Sequence, residues 1–187
     1  MTDHNTISAE FDTDVLIIGG GPVGLAMAVE LGWRGIDCVL VEQGDGVVAH
    51  PKTNGINMRT MEFCRRWGVA DKVRAAGTPK DFPNAALFVT SYSGHELARI
   101  TRPGHAEDRD FPNGPERPKR CNQLWFDPIL ADYVAGLPSV TRRMNCRFDS
   151  FTQNSEGVSA VLCDVNTGRL ETIEADYLVA CCGGHSA

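Results

Sequence analysis

Residues 14–25 read D-V-L-I-I-G-G-G-P-V-G-L, and this segment carries the strongest indication of the fold. The apolar run at 14–18 lacks polar alternation, which favours a strand buried on both faces, as in a parallel sheet. Glycines follow it, and residues 23–34 favour a helix that ends at Gly35. A second buried-type strand is predicted at 38–41. Strand, tight turn, helix and strand within about 30 residues form a βαβ unit, so we predict an α/β fold with a Rossmann-like parallel sheet.

The turn between this strand and helix carries the glycine spacing of a dinucleotide-binding site. Gly19 permits the tight turn, Gly21 lets the backbone approach a pyrophosphate, and Gly24 allows close packing of helix against strand. Pro22 and Val23 lie among them, where the free N–H groups of a helix N-terminus favour phosphate. We therefore predict that these five residues bind a dinucleotide.

Glu42 supplies the second half of the pattern, because it lies 18 residues past Gly24 at the end of the second strand. A carboxylate there accepts a hydrogen bond from an adenosine ribose hydroxyl. It would repel the 2′-phosphate of NADP, so the site should hold FAD or NAD. Gln43, next in the chain, is a further candidate. The βαβ unit alone does not separate FAD from NAD.

Periodicity and turn residues predict the remaining elements. The predicted helices are 57–67, 70–76 and 126–137. The predicted strands are a hairpin at 87–90 and 96–100, followed by 140–144, 146–153, 158–164 and 172–180. We expect the last strand, which is apolar like the first two, to return to the parallel sheet. Residues 1–12 are expected to be a loose tail and 101–120 an irregular loop.

Composition excludes several classes of protein. The 187 residues are 42% hydrophobic and 22% charged, which is ordinary globular usage and excludes disorder and coiled coils. The net charge of −6 lacks the basic footprint of a nucleic-acid binder. No apolar run approaches the roughly 20 residues of a membrane span, and the polar N-terminus is not a signal peptide. Seven scattered cysteines without ligand spacing predict reduced thiols, a cytoplasmic location and no metal site.

Three further segments are informative. Residues 50–62 read H-P-K-T-N-G-I-N-M-R-T-M-E, residues 121–130 read C-N-Q-L-W-F-D-P-I-L, and residues 175–186 read A-D-Y-L-V-A-C-C-G-G-H-S. Together with the glycine turn, they resemble the FAD-dependent aromatic-ring hydroxylases, the p-hydroxybenzoate hydroxylase and phenol hydroxylase group of flavoprotein monooxygenases. The resemblance covers about residues 12–187 and implies FAD as the cofactor, bound through the glycine turn and the acid that follows it.

The resemblance also gives roles to polar residues outside the turn. Arg59, in R-T-M-E, matches an arginine that contacts the cofactor, and a guanidinium suits pyrophosphate oxygens. Gln123 matches a glutamine close to the ribityl and pyrophosphate region. Lys52 lies where relatives often carry arginine, and it would supply positive charge near the cofactor.

The chain departs from the family at two positions. Relatives usually carry Asp-Gly after the last strand, in a segment that handles FAD and the nicotinamide donor, whereas this chain has Cys182 and Gly183. A thiol does not reproduce a carboxylate, but Gly183 still permits the tight turn and remains a candidate FAD contact. Asn54 matches a position that is acidic in some phenol hydroxylases, and an amide cannot act as a base. The catalytic residue is therefore unknown.

The resemblance implies a longer enzyme that hydroxylates a small phenolic substrate with NADH or NADPH and O2. We expect 1–187 to be the N-terminal part of its FAD-binding domain, truncated and inactive alone. Segments 83–120 and 139–175 are expected to contribute to an incomplete substrate-side sheet. Two alternatives stay open, namely an NAD-binding dehydrogenase domain and a non-catalytic FAD-binding module. Exposed apolar sheet edges would favour a homo-oligomer.

Overall fold

The computed structural model describes residues 7–79, 85–101 and 114–185. The chain divides into two compact units, of which the first comprises Met1–Thr53 and Gln123–Ala187 and the second Asn54–Asn122. Among the described residues, no helix has the length and apolar character needed to cross a membrane.

The first unit contains most of the regular structure. Its elements are β1 (Ile7–Ile18), α1 (Pro22–Trp33), β2 (Cys38–Glu42), α4 (Gln123–Ala135), β5 (Val140–Met144), β6 (Cys146–Gln153), β7 (Val158–Asp164), β8 (Leu170–Ala180) and a 3₁₀ turn at Gly183–His185. The second unit contains α2 (Met58–Arg66), α3 (Ala70–Ala75), β3 (Ala85–Val89) and β4 (Glu96–Thr101). The predicted helices and strands are confirmed, most of them to within two residues at each end.

The strands of the first unit form one sheet in the order β5-β2-β1-β8-β7-β6. Strands β5, β2, β1 and β8 run parallel, and β7 and β6 continue the sheet antiparallel. The last strand therefore does return to the parallel sheet, where it pairs directly with β1. Because the chain moves from β1 to β2 on one side and reaches β8 on the other, the carboxyl ends of these strands form a topological switch point.

Both faces are buried at residues 15–18 of β1 and 38–41 of β2, as these unbroken apolar runs require. On one face, Leu16 and Val39 pack in a core with Leu162 of β7 and Ile173 of β8. Alternation of side chains directs Val15 and Ile17 to the opposite face, where α1 contacts β1 and β2 and packs against α4. One face of β1 and β2 thus packs against helices, and the other packs against side chains of β6, β7 and β8.

The prediction of a loose tail at residues 1–12 is wrong for residues 7–12. Residues 7–12 belong to β1, which begins seven residues earlier than predicted and pairs Ile7 with Glu171 of β8. Residues 7–12 read I-S-A-E-F-D, and this alternation of apolar and polar residues is typical of a strand, so a local signal was present and was missed. Residues 1–6 of the expected tail lie outside the described residues.

Helix α4 begins at Gln123, three residues before the first apolar position of its predicted pattern. The earlier start matters for the site, because it places the Gln123 side chain on the helix itself. In the expected irregular loop at 101–120, residues 102–113 lie outside the described residues, while Lys119 forms an antiparallel bridge with Ile56.

Residues 139–175 do not form a separate sheet, because their strands hydrogen-bond into the sheet that contains β1 and β2. Within the described residues, only β3 and β4 form a sheet apart from it, and they are the hairpin predicted near Ser93 and Gly94. That segments 83–120 and 139–175 face a substrate stays a prediction.

Candidate functional site

Gly19 lies where the ends of three parallel strands meet. Its N–H donates to the Val41 carbonyl at 2.8 Å, and the N–H of Cys181 donates to the Ile18 carbonyl at 2.7 Å. Its φ is +106°, and a Cβ there would lie 2.8 Å from the Cys181 carbonyl carbon. Only glycine satisfies both conditions, so the tight turn depends on this residue.

Gly24 fits the packing role expected of it, since a Cβ there would lie 1.8 Å from the Gly19 carbonyl oxygen. Helix α1 therefore begins in direct contact with the turn. Gly21 is its N-cap and Pro22 its first residue. A Cβ on Gly21 would meet nothing within 4 Å, and Val23 is exposed. The space in front of the helix N-terminus is open.

No side chain caps α1, and its first turn contains no acidic residue. The unpaired N–H groups and the positive end of the helix dipole are therefore available to an anion. A phosphate group is the ligand that such an arrangement suits.

The Glu42 carboxylate lies beside this turn and is held by the backbone. Its Oε2 accepts from the N–H of Gly20 at 2.7 Å, and its Oε1 accepts from the N–H of Gly44 at 2.8 Å. An ionised carboxylate has about four lone-pair sites, so two remain for other donors. Glu42 can therefore accept from a ligand hydroxyl without giving up the bonds that orient it.

A cleft of about 160 Å³ opens beside Glu42. Gly19 and Gln43 also line it, which brings together three of the predicted site residues. The volume lies below the roughly 300–1,000 Å³ of a typical ligand pocket, so the cleft suits one part of a dinucleotide.

Sequence reasoning missed one wall of this cleft. Cys146, Arg147 and Phe148, at the start of β6, line it together with Cys182. Only the fold of the antiparallel strands brings β6 to the end of β2, so no local motif indicates these residues.

Lys52 and Gln123 are brought together by backbone contacts. The Lys52 N–H donates to Gln123 Oε1 at 2.8 Å, and the Gln123 N–H donates to the Thr53 carbonyl at 3.2 Å. The Lys52 side chain is exposed. Gln123 thus fixes the loop that carries this cation.

Asp127 is a second residue that sequence reasoning missed. Gln123 Nε2 donates to Asp127 Oδ2 at 2.9 Å, and Asp127 is only 4% exposed. Burial raises the pKa of Asp127 to about 6, and the hydrogen bond from Gln123 opposes that rise. A signal was present, because Gln123 and Asp127 share the buried stripe of α4 with Leu130 and Val134, and polar residues on such a stripe require partners.

Two predicted residues, Arg59 and Gly183, are not among the partners in the contacts described above. Arg59 belongs to the second unit, where it is exposed, pairs with Glu62 at 2.6 Å and lies over the Phe63 ring. Gly183 is exposed after β8, with a φ of +80° that fits the expected turn. A cofactor contact stays a prediction for both.

The comparisons with known proteins agree with this architecture. The family described as FAD binding domain matches residues 12–187, and the chain belongs to this family. Its cofactor is FAD, as the resemblance implied. The alternative of an NAD-binding dehydrogenase domain gains no support.

Two relatives of known sequence are monooxygenases by name. Tetracenomycin B2 monooxygenase-dioxygenase from Streptomyces olivaceus is 34% identical over 92% of this chain and 34% of its own length. Phenol 2-monooxygenase from Pseudomonas sp. (strain EST1001) is 30% identical over 99% of this chain and 31% of its own.

A solved structure supports the same assignment. The rebeccamycin biosynthetic enzyme RebC with reduced flavin superposes with a TM-score of 0.85 at 42% identity, over 96% of this chain and 34% of that one. The chain therefore spans about a third of the length of the proteins it matches.

Proposed function

We propose that this chain holds the ADP half of FAD in a flavin-dependent enzyme that hydroxylates a small aromatic substrate. The observation that carries the proposal is the meeting of the glycine turn, the uncapped N-terminus of α1 and the Glu42 carboxylate at the switch point of the sheet. Ligands of open α/β sheets bind at such a point.

The residues present fit the cofactor. The N–H groups at the start of α1 would bind the pyrophosphate, and Gly21 offers open space for its approach. Glu42 would accept from the ribose, and Gln43 would border it in the cleft. Pro22 and Val23 would present the helix start to the phosphates.

Residues outside the turn would complete the site. Lys52 and Arg59 would add positive charge near the pyrophosphate. Gln123 would position the loop at Lys52, and Gly183 would turn the chain toward the cofactor after β8.

FAD supplies the redox chemistry when it is bound. The tasks of this chain are to bind and orient the cofactor and to exclude water from its phosphate end. We assign no catalytic residue here, since Asn54, at the position of the family's acid, has no acid-base capacity.

The relatives support the wider proposal. One is a phenol hydroxylase by name, so we propose an aromatic substrate, NADH or NADPH as the electron donor, and O2 as the oxidant. We also propose a cytoplasmic enzyme with reduced cysteines, which the seven free thiols support. A nucleic-acid partner is not expected, and the exposed apolar side chains of β3 and β4 favour self-association.

The test is a titration of the folded chain with FAD, followed by flavin absorbance and fluorescence, with NADH as the control ligand. We expect saturable binding of FAD and none of NADH. Gly21→Ala should weaken FAD binding while lowering stability by less than about 1 kcal/mol, because its Cβ meets only open space that the pyrophosphate would fill. Saturable NADH binding without FAD would overturn the proposal.

A second measurement separates an enzyme from a binding module. NADH- or NADPH-dependent oxygen uptake with formation of a hydroxylated phenol, assayed on the FAD-loaded chain, would indicate catalysis. Such turnover would overturn the non-catalytic module, whereas FAD binding without oxygen uptake is the result expected of this chain, which spans about a third of its relatives' length.

A further inference from the structure

Asp127 is almost completely buried, and one of its oxygens has no partner in the part of the chain that the structure describes. Its exposure is 4%, and that of Gln123 is 8%. Asp127 Oδ2 accepts from Gln123, while Oδ1 has no hydrogen-bond partner among the described residues. A buried carboxylate with only one hydrogen-bonded oxygen lowers the stability of the fold. We therefore expect Asp127 to have a role besides packing.

The contacts of Gln123 indicate this role. The amide lies between Asp127, which accepts from its Nε2 at 2.9 Å, and the Lys52 N–H, which donates to its Oε1 at 2.8 Å. Three groups thus form a relay from a buried carboxylate to the backbone of an exposed cation.

We propose that Asp127 is a positioning residue of the FAD site, which orients the Gln123 amide so that it holds the backbone at Lys52. This inference rests on the proposed function, since it assigns the control of a loop that we place at the cofactor. Asp127 acts through Gln123 and contacts neither cofactor nor substrate in this role.

The chemistry of the two side chains gives the relay its direction. An ionised carboxylate only accepts hydrogen bonds, so the NH₂ group of Gln123 must face Asp127 and its carbonyl must face Lys52. If the acceptor is removed, the amide is free to turn over. Its NH₂ group would then meet the Lys52 N–H, and two donors do not bond.

A second contact separates this role from simple support of the helix. The bond from the Gln123 N–H to the Thr53 carbonyl uses backbone atoms alone. It does not need Asp127, so loss of the carboxylate should loosen the loop at Lys52 while α4 stays folded.

The test measures amide hydrogen exchange at Lys52 in the FAD-free chain, and then the dissociation constant of FAD. Asp127→Leu removes the acceptor at similar size, and Asp127→Asn keeps an acceptor oxygen. Asp132→Asn, an exposed carboxylate on the same helix, is the matched control.

We expect Asp127→Leu to speed exchange at Lys52 by about tenfold and to weaken FAD binding by about tenfold, the effect of one lost hydrogen bond. Exchange at Leu130 and Val134 should be unchanged. Asp127→Asn should restore both readouts to within about twofold of the wild type, which a role in helix stability alone would not predict.

Unchanged exchange at Lys52 in a folded Asp127→Leu variant would overturn the relay. Faster exchange with an unchanged FAD affinity would overturn the positioning role. Asp127→Ala replaces the leucine variant if circular dichroism shows that the latter is unfolded. If the wild type binds no FAD, the proposed function fails, whereas the exchange at Lys52 still reports on the relay itself.

Discussion

Two regions of the first unit each hold a carboxylate, and they do so in opposite ways. At the end of β2, both oxygens of Glu42 accept backbone N–H groups, from Gly20 and Gly44. Within α4, Asp127 is buried and bonds through one oxygen to the Gln123 side chain. The first carboxylate stays accessible for a ligand, and the second is closed to solvent.

The two regions depend on the sequence in different ways. Every residue except proline has a backbone N–H that can donate to Glu42. The Glu42 region therefore depends chiefly on its glycines, which have no side chain to prevent the close approach of neighbouring backbone segments. The Asp127 region demands a matched pair of side chains, and a change at either one breaks it. Substitutions of the glycines near Glu42 should therefore act through steric overlap, whereas substitutions at Asp127 should act through hydrogen bonding and charge.

The largest effect is expected from Gly24→Ala, which tests the demand for space. The added Cβ would lie 1.8 Å from the Gly19 oxygen, so either α1 or the turn must move. We expect a loss of about 3 kcal/mol or more in the free energy of unfolding, measured by urea denaturation with circular dichroism. Gly21→Ala is the control and should lower the free energy of unfolding by less than about 1 kcal/mol. Equal urea midpoints for the two variants would show that the turn accommodates a Cβ at Gly24 without loss of stability.

The next effect concerns charge at Asp127. Its pKa is about 6 in the folded chain and about 3.9 when unfolded, so the folded chain holds this proton more tightly. Stability from this group is therefore greatest at low pH, and it falls as the pH rises from about 4 to about 6. We expect the wild type to lose about 2–3 kcal/mol relative to Asp127→Asn between pH 4 and pH 7.

Urea denaturation of both proteins at pH 4, 5, 6 and 7 checks this expectation, since groups other than Asp127 titrate alike in the pair. A difference between the two proteins that does not vary with pH would mean that Asp127 titrates normally and that burial does not govern it.

Glu42→Gln should have an effect on FAD binding rather than on folding. The amide keeps one acceptor but turns a donor toward a backbone N–H, and it loses the charge that strengthens a bond from ribose. We expect the FAD dissociation constant to rise by about 10- to 100-fold, measured by flavin fluorescence. Asp45→Asn, an exposed acid in the same loop, should change it by less than about twofold, and an equal effect of both would indicate a general loss of negative charge.

The smallest effect is expected from an acid that neither region contains. Glu30 pairs with Arg34 at 2.8 Å on the surface of α1, one helical turn apart. Glu30→Gln should change the free energy of unfolding by less than about 0.5 kcal/mol, and salt should reduce the difference further. A loss above 1 kcal/mol would show that exposed charge matters here as much as burial.

The same contrast explains what the sequence could predict. The β1–α1–β2 unit, Gly19 and Glu42 were predictable, because a tight turn and a strand end are built from neighbours in the chain. The alternation of apolar and polar residues at 7–12 also indicated a strand, but its pairing with Glu171 was not predictable, because that partner is remote in the sequence. The residues of β6 that line the cleft were not predicted either, because they are remote in the sequence from Glu42.

Asp127 lies between these cases. Its helical spacing from Gln123 and Leu130 places it on the buried face of α4, and the burial of Asp127 could be predicted from that spacing. Its partner Gln123 was singled out through a family resemblance, but the link to Lys52 depends on a loop that returns to the helix from 71 residues earlier. Sequence spacing does not report such a return.

The pairing of β1 with β8 has a consequence for how the chain acquires its structure. Ile18 pairs with Ala180, so the strand at the centre of the sheet receives its second neighbour from about 160 residues downstream. Closing so long a loop is slow compared with forming a local hairpin. During synthesis, β1 and β2 emerge from the ribosome well before β8, and the apolar edge of β1 stays open to chaperones or to other nascent chains until the last strand arrives.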